Sequence, residues 1–460
     1  MRAAAASQRV PRLTGSPVLG SMRELRRDFL GTISRANREV GGLACISAGP
    51  PGWRITAYSV SSPELAAEIL GQPDRFRKNG PGYRELRQSL GENLLTSEDE
   101  SWHRQRRFLA PIFTRRRIAG DYVHIMIEEA ERLVERWQAI ASHGHSVDLY
   151  PEMVGITSRI IGRILFGADV SRALPELTRF SIVNEELLRR AVSPHPLPRW
   201  VPTSHNRRLT HELGEVRRIV DEIIAGRPSG RAKGSADDML GRLLDARDAE
   251  NASDRLSETE VANQVLLFLI AGRETTAMTL ACTLAQLALR PEWQTKLREE
   301  IRERLDGRAP SAEEVAQLEW TDHFLHECMR LFPGAYGMNR STRDDEVLAG
   351  YHIPAGSWVE VSMWGIHHSA AVWHEPEVFD PRRFDVPTRQ FPGSHRYAWM
   401  PFGAGPRGCI GMQIAMLEIP IVMASVLQAF TLETQLASIP VHAAITLQPT
   451  GSLPLQLRSV

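Results

Sequence analysis

Apolar residues recur along most of this chain at the three-to-four-residue spacing of helices that bury one face, and short alternating stretches bounded by Gly and Pro interrupt them. Residues 42–70 predict a small sheet and then a helix starting at Ser62-Pro63. From Ser101 to about Trp137 two helical runs are expected, separated near Pro111. Further helices are expected over ITSRIIGRILFG and over Glu176 to Leu188. Proline crowds SPHPLPRWVPTSHNRR, Ser193 to Arg208, which predicts a loop; a long helix follows it to about Gly226, then a polar surface connection, GRPSGRAKGSAD. The strongest helical signal spans 257–290. Ser257 and Glu260 have capping-box spacing, Pro291 marks the stop, and VANQVLLFLIAG is too continuously apolar for a helix with one wet face, so this helix is expected at the centre of the core. More helices are expected near 292–306, 311–318 and 321–332. After Pro333, LAGYHIPAGSWVEVSMWGIHH predicts a second small sheet. A last helix should begin after Gly411, with Pro420 kinking it or shifting its register. The expectation is a mainly α protein with small β-sheets in one large domain, without repeats or coiled coil.

Composition narrows the function classes. The 460 residues carry 55 Lys plus Arg against 55 Asp plus Glu, so no global charge favours nucleic acid as a partner. At 42% hydrophobic and 24% charged, the chain has globular proportions. Its four cysteines, Cys45, Cys282, Cys328 and Cys409, stand too far apart for a CxxC pair or a structural zinc site, so a functional cysteine must act singly. The opening MRAAAASQRVPRLTGSP lacks the apolar core of a signal peptide, which gives the expectation of a cytoplasmic protein. Arg273 and Glu274 interrupt the longest apolar run, so no transmembrane segment is expected either.

Four local patterns carry candidate chemistry. Phe402-Gly403-Ala404-Gly405-Pro406-Arg407-Gly408-Cys409-Ile410-Gly411 sets a lone thiol in a glycine-rich loop at the start of a helix. That suits an axial thiolate stabilised by exposed N–H groups, and it also suits a plain glycine turn with a buried free cysteine. Glu327 and Arg330 lie three apart on one helical face, as an ordinary surface pair would. Trp102 and Arg106 sit four apart, compatible with a half-buried indole beside a solvated arginine. Ala271-Gly272-Arg273-Glu274-Thr275-Thr276 interrupts the apolar helix with small and polar residues; a threonine bonding back to the preceding turn explains it equally well.

Taken together, these patterns resemble the cytochrome P450 family. Phe402, Gly403, Gly405, Arg407, Cys409 and Gly411 fill every defining position of its haem-binding signature, and other motifs match in family order across roughly residues 12 to 457. The resemblance implies a single-domain P450 fold over 12–460 after a flexible segment 1–11. It implies haem b (iron protoporphyrin IX) with Cys409 as metal ligand, Phe402 packed near it and Gly411 just after. Trp102, Arg106, Arg340 and Arg407 would meet the propionates. Glu327, Arg330 and Arg383 would form a structural triad; the family often has glutamate where this chain has Arg382. Ala271 and Gly272 would leave room over the cofactor, and Glu274 with Thr275 would deliver protons to dioxygen.

The implied activity is a monooxygenase inserting one oxygen atom from dioxygen into a small hydrophobic substrate, whether terpenoid, lipid-like or another secondary metabolite. Peroxygenation, desaturation or rearrangement by the same haem-thiolate centre is the alternative, and a haem sensor without turnover is a further one. Phe76 to Leu95 and about Leu187 to His205 would be substrate-access elements, and Met338, Leu266, Phe268 and Ile270 are candidate cavity residues that core packing explains as readily. The catalytic-domain resemblance takes up the whole length, so electrons are expected from a separate ferredoxin or flavodoxin with its NAD(P)H-dependent reductase. Arg115, Arg116 and Arg117 are candidates for its docking surface.

Overall fold

Ser257 and Glu260 cap the central helix reciprocally: Ser257 Oγ accepts the Glu260 N–H at 3.2 Å and the Glu260 carboxylate accepts the Ser257 N–H at 2.7 Å. In the computed structural model, which describes residues 8–460 except 168–181, 184–185, 188–189, 191–196, 226–237, 247–253 and 386–394, this helix spans Glu258–Ala288, and Pro291 opens the next one at its first turn. It is buried along almost its whole length, from Val261 to Leu269 and from Thr276 to Ala288. Between those stretches Ile270, Gly272 and Thr275 are only half-buried and Ala271 is exposed, so the core opens at one turn of its central helix.

Helices Leu149–Phe166, Met412–Ala429, Glu319–Leu331 and Pro291–Leu305 pack around it and share its apolar core. By length and hydropathy, Glu258–Ala288 and Met412–Ala429 could each cross a membrane, contrary to the expectation from charge interruption alone. With 78% and 67% of their apolar windows buried inside the fold, they are core helices.

Two sheets flank this body. Strands β1 (Leu43–Ala48), β2 (Ile55–Val60), β3 (Phe76–Arg77), β5 (Gly337–Thr342) and β8 (Trp358–Ser362) form a five-stranded sheet in the order β1-β2-β8-β5-β3, antiparallel except where β2 runs parallel to β8. Strands β4 (Ser146–Asp148), β9 (Phe430–Glu433) and β12 (Pro454–Ser459) form a second sheet, and β6–β7 and β10–β11 are hairpins at Glu346–Ile353 and Val441–Pro449. The architecture is mainly helical with small sheets, as the hydrophobic pattern predicts.

Several boundaries differ from the sequence expectations for local reasons. The stretch from Ser101 holds three helices, Asp99–Leu109, Arg115–Asp121 and Val123–Ser142, with a 3₁₀ turn at Ala110–Phe113, because Pro111 can only open a new turn. The proline-rich loop is shorter than Ser193 to Arg208, since a helix already begins at Ser204 and runs to Ala225. Of Glu176 to Leu188, only Ile182, Val183, Glu186 and Leu187 are described, all helical, and the GRPSGRAKGSAD connection lies outside the described residues. MWGIH is a short helix, capped by Ser362, instead of more strand. Pro420 lies inside the uninterrupted Met412–Ala429 helix, where burial with Ile419, Ile421 and Val422 offsets its missing N–H. At the N-terminus order starts before residue 12: Val10 is buried against the five-stranded sheet, and the Pro11 carbonyl accepts the Cys45 N–H at 2.8 Å.

Candidate active site

The thiol of Cys409 stands just before the Met412–Ala429 helix. Backbone N–H groups of Gly411 and Met412 face it. Cys409 is the one exposed cysteine; Cys45, Cys282 and Cys328 are buried, as expected of small core side chains. Burial nonetheless pushes the Cys409 thiol up, against the pull of the Gly411 N–H, Arg106 and Lys78. The residue is exposed, yet its sulfur is crowded enough by the fold for burial to dominate its acidity. The loop needs its glycines. Gly403 and Gly405 have φ of 69° and 71°; a Cβ on Gly405 would collide with the Leu70 carbonyl oxygen, and one on Gly403 would come 2.9 Å from Met338 Sδ. Phe402 is half-buried, and its carbonyl accepts the Cys409 N–H at 2.8 Å.

Beside the thiol the structure gathers four basic residues. Arg407 donates to the Ser97 carbonyl at 2.7 Å, pairs with Glu98 at 3.1 Å, and lies 4.3 Å from the Trp102 ring centroid. Arg106 reaches the Gly408 carbonyl at 3.4 Å. Arg340 is 2% exposed and donates to its neighbour's carbonyl, from Asn339, at 2.8 Å. The fourth, Lys78, has no counterpart among the sequence candidates. Burial holds its ammonium well below the ordinary lysine range, and the charges of Arg340 and Arg407 push the same way. Among the described residues, neither Arg106, Arg340 nor Lys78 has a carboxylate within ion-pair distance; Glu98, which pairs with Arg407, is the acid of the cluster. Three arginines and a buried lysine whose charge lacks a partner, next to the Cys409 thiol, fit a ligand with two carboxylates that would restore that charge, so the residues present match a haem held through its propionates and a thiolate. A lysine separated by one residue from Phe76, in a segment otherwise read as substrate-facing, was the available signal for Lys78.

The second candidate group lies on the open turn of the central helix. Thr275 donates from Oγ1 to the Ala271 carbonyl at 2.7 Å, so its side chain doubles back on the turn that Ala271 and Gly272 keep small. A Cβ on Gly272 would meet Ile161 at 3.2 Å. Glu274 is buried and paired with Arg273 at 2.9 Å, both only a few per cent exposed. Its charge also acts on Tyr150 of the Leu149–Phe166 helix, whose hydroxyl is raised first by burial and then by Glu274. The acid therefore faces the neighbouring helix, and the alcohol one residue later faces the open turn. Of the candidate cavity residues, Leu266 and Phe268 are core; Phe268 meets Phe113 edge-on at 5.1 Å. Met338 and Ile270 are half-buried.

The supporting triad is assembled, and it is larger than the sequence indicated. Arg330 grips Glu327 with two bonds, Nε to Oε2 at 2.7 Å and Nη2 to Oε1 at 2.8 Å, both residues fully buried. Arg383 comes to 3.4 Å of Glu327, and the Asp380 N–H donates to Glu327 at 2.8 Å. Arg330 Nη1 also donates to the His367 and Pro376 carbonyls, each at 2.7 Å. His367, which sequence reading passed over as part of a strand, completes the link. Its Nδ1 bonds to the Arg330 carbonyl at 3.0 Å and its Nε2 accepts the Met400 N–H at 3.1 Å, which fixes the tautomer with the proton on Nδ1. Burial holds this imidazole well below the usual histidine range, so it stays neutral. Met400 stands two residues before Phe402, so the triad and His367 brace the thiol loop directly.

Comparison with known proteins agrees with this geometry. The Cytochrome P450 family model matches residues 11–451. A cyclooctat-9-en-7-ol 5-monooxygenase from Streptomyces melanosporofaciens is 32% identical over 388 residues, 84% of this chain and 81% of its own length. A pentalenene oxygenase from Streptomyces avermitilis is 31% identical over 437 residues, 94% of each chain. A cytokinin hydroxylase from Arabidopsis thaliana is 34% identical over 351 residues, 74% of this chain and 66% of its own. With the family model covering nearly the whole chain and relatives above 30% identity over most of their length, the chain belongs to the cytochrome P450 family and is a P450 monooxygenase.

Proposed function

We propose that the chain holds haem b through Cys409 and oxidises a small, hydrophobic, terpenoid-like substrate with dioxygen, using electrons from a ferredoxin or flavodoxin and its NAD(P)H-dependent reductase. The observation that carries this reading is the Cys409 thiol beside the basic cluster of Lys78, Arg106, Arg340 and Arg407, in a chain whose central helix has one open turn. When bound, the haem-thiolate supplies the redox chemistry that cleaves dioxygen. The chain's own residues do the rest. N–H groups of Gly411 and Met412 and the charge of Arg106 pull Cys409 towards the thiolate against its burial. Lys78, Arg106, Arg340 and Arg407, with Trp102 stacked on Arg407, hold two carboxylates. Thr275 holds a proton at Oγ1 on the open turn, and Glu274 is the buried acid behind it, released for proton transfer on leaving Arg273. Ala271 and Gly272 keep the turn free of side-chain bulk. The substrates named for two of the relatives, cyclooctat-9-en-7-ol and pentalenene, support an apolar substrate.

For the electron donor, Arg115, Arg116 and Arg117 stand exposed at the start of a helix that packs against Met412–Ala429, the helix following Cys409. A basic surface there suits an acidic redox protein. Turnover under labelled dioxygen with a ferredoxin system and a panel of terpene hydrocarbons and alcohols tests the reaction. One labelled oxygen per product molecule is expected; products formed only with peroxide, or without label, would exclude it.

Entry to the site is held by a buried ion-pair knot. Arg190 donates to Glu85 with Nε at 2.8 Å and Nη2 at 3.0 Å, and Arg199 joins Glu85 at 3.1 Å. Burial opposes the Glu85 charge, but the two arginines prevail and hold its carboxyl below the ordinary range. Arg190 also bonds Asn206 at 2.8 Å, so the Pro81–Leu90 helix is tied to the start of the Ser204–Ala225 helix. Glu85 lies in the segment Phe76 to Leu95, and Arg190 and Arg199 in the segment Leu187 to His205, the two assigned to substrate access. Glu85→Gln keeps the shape and removes the charge, so imidazole is expected to enter several-fold faster in stopped-flow absorbance. An unchanged entry rate would show that the knot is not on the path.

A further inference from the structure

Strands β5 and β8 carry a polar row that neither the thiol loop nor the proton-bearing turn uses. Directly opposed residues of an antiparallel pair share a face, so Asn339 with Glu360, and Ser341 with Trp358, form one row; the parallel neighbour β2 adds Ser59 beside Glu360. Met338 and Arg340 belong to the other face, towards Gly403 and the cation cluster. The outer end of the row opens on a cavity of about 510 Å³, to whose wall Ser341 and Trp358 contribute along with Arg77 and Pro81. Trp358 Nε1 donates to Asn339 Oδ1 at 2.7 Å, which satisfies the middle of the row.

The inner end is not satisfied. Glu360 is 9% exposed and, among the described residues, has no hydrogen-bond or ion-pair partner. Ser59, 3% exposed, has an Oγ without a hydrogen-bond partner. Two buried polar groups side by side, both unmatched, are costly unless something bonds them. The carboxyl leans along β5 past its partner Asn339. Its Oε1 would be 2.7 Å from a Cβ on Gly337, so any larger residue there would push the carboxyl aside. Gly337 lies on the half-buried segment Gly334–Asn339, which at Gly334 touches Thr275. Glu360 thus sits between the outer cavity and the chain segment that borders the reacting turn.

The group recognised there follows from charge. Among the described residues no cation pairs with Glu360; its charge acts on the nearby Tyr336, whose hydroxyl bonds the Ala444 carbonyl. Burial alone lifts the carboxyl to about 7, so near neutrality it is in large part the neutral acid, able both to donate and to accept. Beside the Ser59 hydroxyl this matches a neutral group that also donates and accepts, and it repels a carboxylate or phosphate.

We propose that Glu360 and Ser59, in the gap left by Gly337, form a subsite that hydrogen-bonds a hydroxyl already present on an otherwise apolar substrate. The inference deepens the proposed function and rests on it. Its substrate would be an alcohol, so a step that installs a hydroxyl must precede this enzyme.

The test uses haem-loaded protein and a length series of N-alkylimidazoles, each compared with its terminal alcohol and its terminal amine. The imidazole nitrogen anchors every probe at the iron and shifts the Soret band, and the tail reports on the subsite. At the length that reaches Glu360 the alcohol should bind about tenfold more tightly than the alkane, one net buried hydrogen bond. Glu360→Leu should erase that preference and leave alkane binding unchanged. Glu360→Gln should retain part of it, since an amide also donates and accepts. Gly337→Ala, which displaces the carboxyl, should reduce it. No alcohol preference at any length, a preference that survives Glu360→Leu, or a stronger preference for the amine would each overturn the subsite while leaving the haem reading intact. Absence of the nitrogen-ligation shift from every probe would instead overturn the haem reading.

Discussion

A Cys409→Ser protein is expected to fold and to lose the thiolate signature completely: the reduced, carbon-monoxide-bound protein should lack the long-wavelength Soret band of the parent, and product formation should fall to background. A serine hydroxyl in the same loop keeps the backbone bond from Cys409 N–H to the Phe402 carbonyl and all the glycine turns. It has no sulfur to ligate with, and its hydroxyl holds its proton far more tightly than a thiol does, so no anionic ligand replaces the thiolate. Cys409 is exposed, so unfolding free energy should move by less than about 1 kcal/mol. Cys282→Ser is the control of opposite sign. That thiol is wholly buried in the central helix and desolvation raises it well above the ordinary range. Burying a hydroxyl there should cost about 1–3 kcal/mol in a denaturant titration and leave the Soret band in place. A thiolate band that persists in Cys409→Ser would remove Cys409 as the ligand.

What the sequence made legible, and what it did not, divides along physical lines. Ser257 with Glu260, the VANQVLLFLIAG run and Pro291 fix the central helix because caps, burial and proline are local effects, and the helix lies where they place it. The glycines of the thiol loop are legible for the same reason: a positive φ and a close approach are properties of one residue. The basic cluster was only partly readable. Arg106, Arg340 and Arg407 come with motifs, whereas Lys78 has none and becomes meaningful only when β3 pairs with β5 and brings it beside Arg340. His367 was invisible as a brace because both its partners, the Arg330 carbonyl and the Met400 N–H, are backbone groups far away in sequence. Glu274 and Thr275 were read as one proton-delivering unit, yet consecutive helix positions point about 100° apart. The acid accordingly meets Arg273 and the Tyr150 side while the alcohol meets the open turn. Glu360 had no sequence signal at all: a lone acid in a strand reads as solvent-facing until its register with Asn339 and Ser59 shows it buried.

The second large effect is expected at Glu327. This carboxylate receives two bonds from Arg330, one from the Asp380 N–H and the charge of Arg383, all away from water. Glu327→Gln preserves volume but leaves the Arg330 guanidinium buried without a counter-charge, which costs about 3–5 kcal/mol for a pair this enclosed. The loss does not stay at the triad. Arg330 positions the His367 carbonyl from one side, its own carbonyl receives the His367 ring, and His367 accepts the Met400 N–H two residues ahead of Phe402. A shift of the guanidinium therefore travels through one imidazole to the loop that carries Cys409. The variant should unfold at lower denaturant, and it should also bind haem poorly, with more of the carbon-monoxide complex lacking the thiolate band. Arg383→Ala separates the two consequences. Arg383 approaches Glu327 at 3.4 Å without a hydrogen bond from Nε, and its terminal nitrogens bond the His374 and Glu375 carbonyls instead. Its removal should cost about 1–3 kcal/mol and spare most of the thiolate band, because Arg330 and His367 remain in register. If Glu327→Gln lowered stability but left the band whole, the triad would be a fold element alone, and the imidazole link to the thiol loop would carry no mechanical coupling.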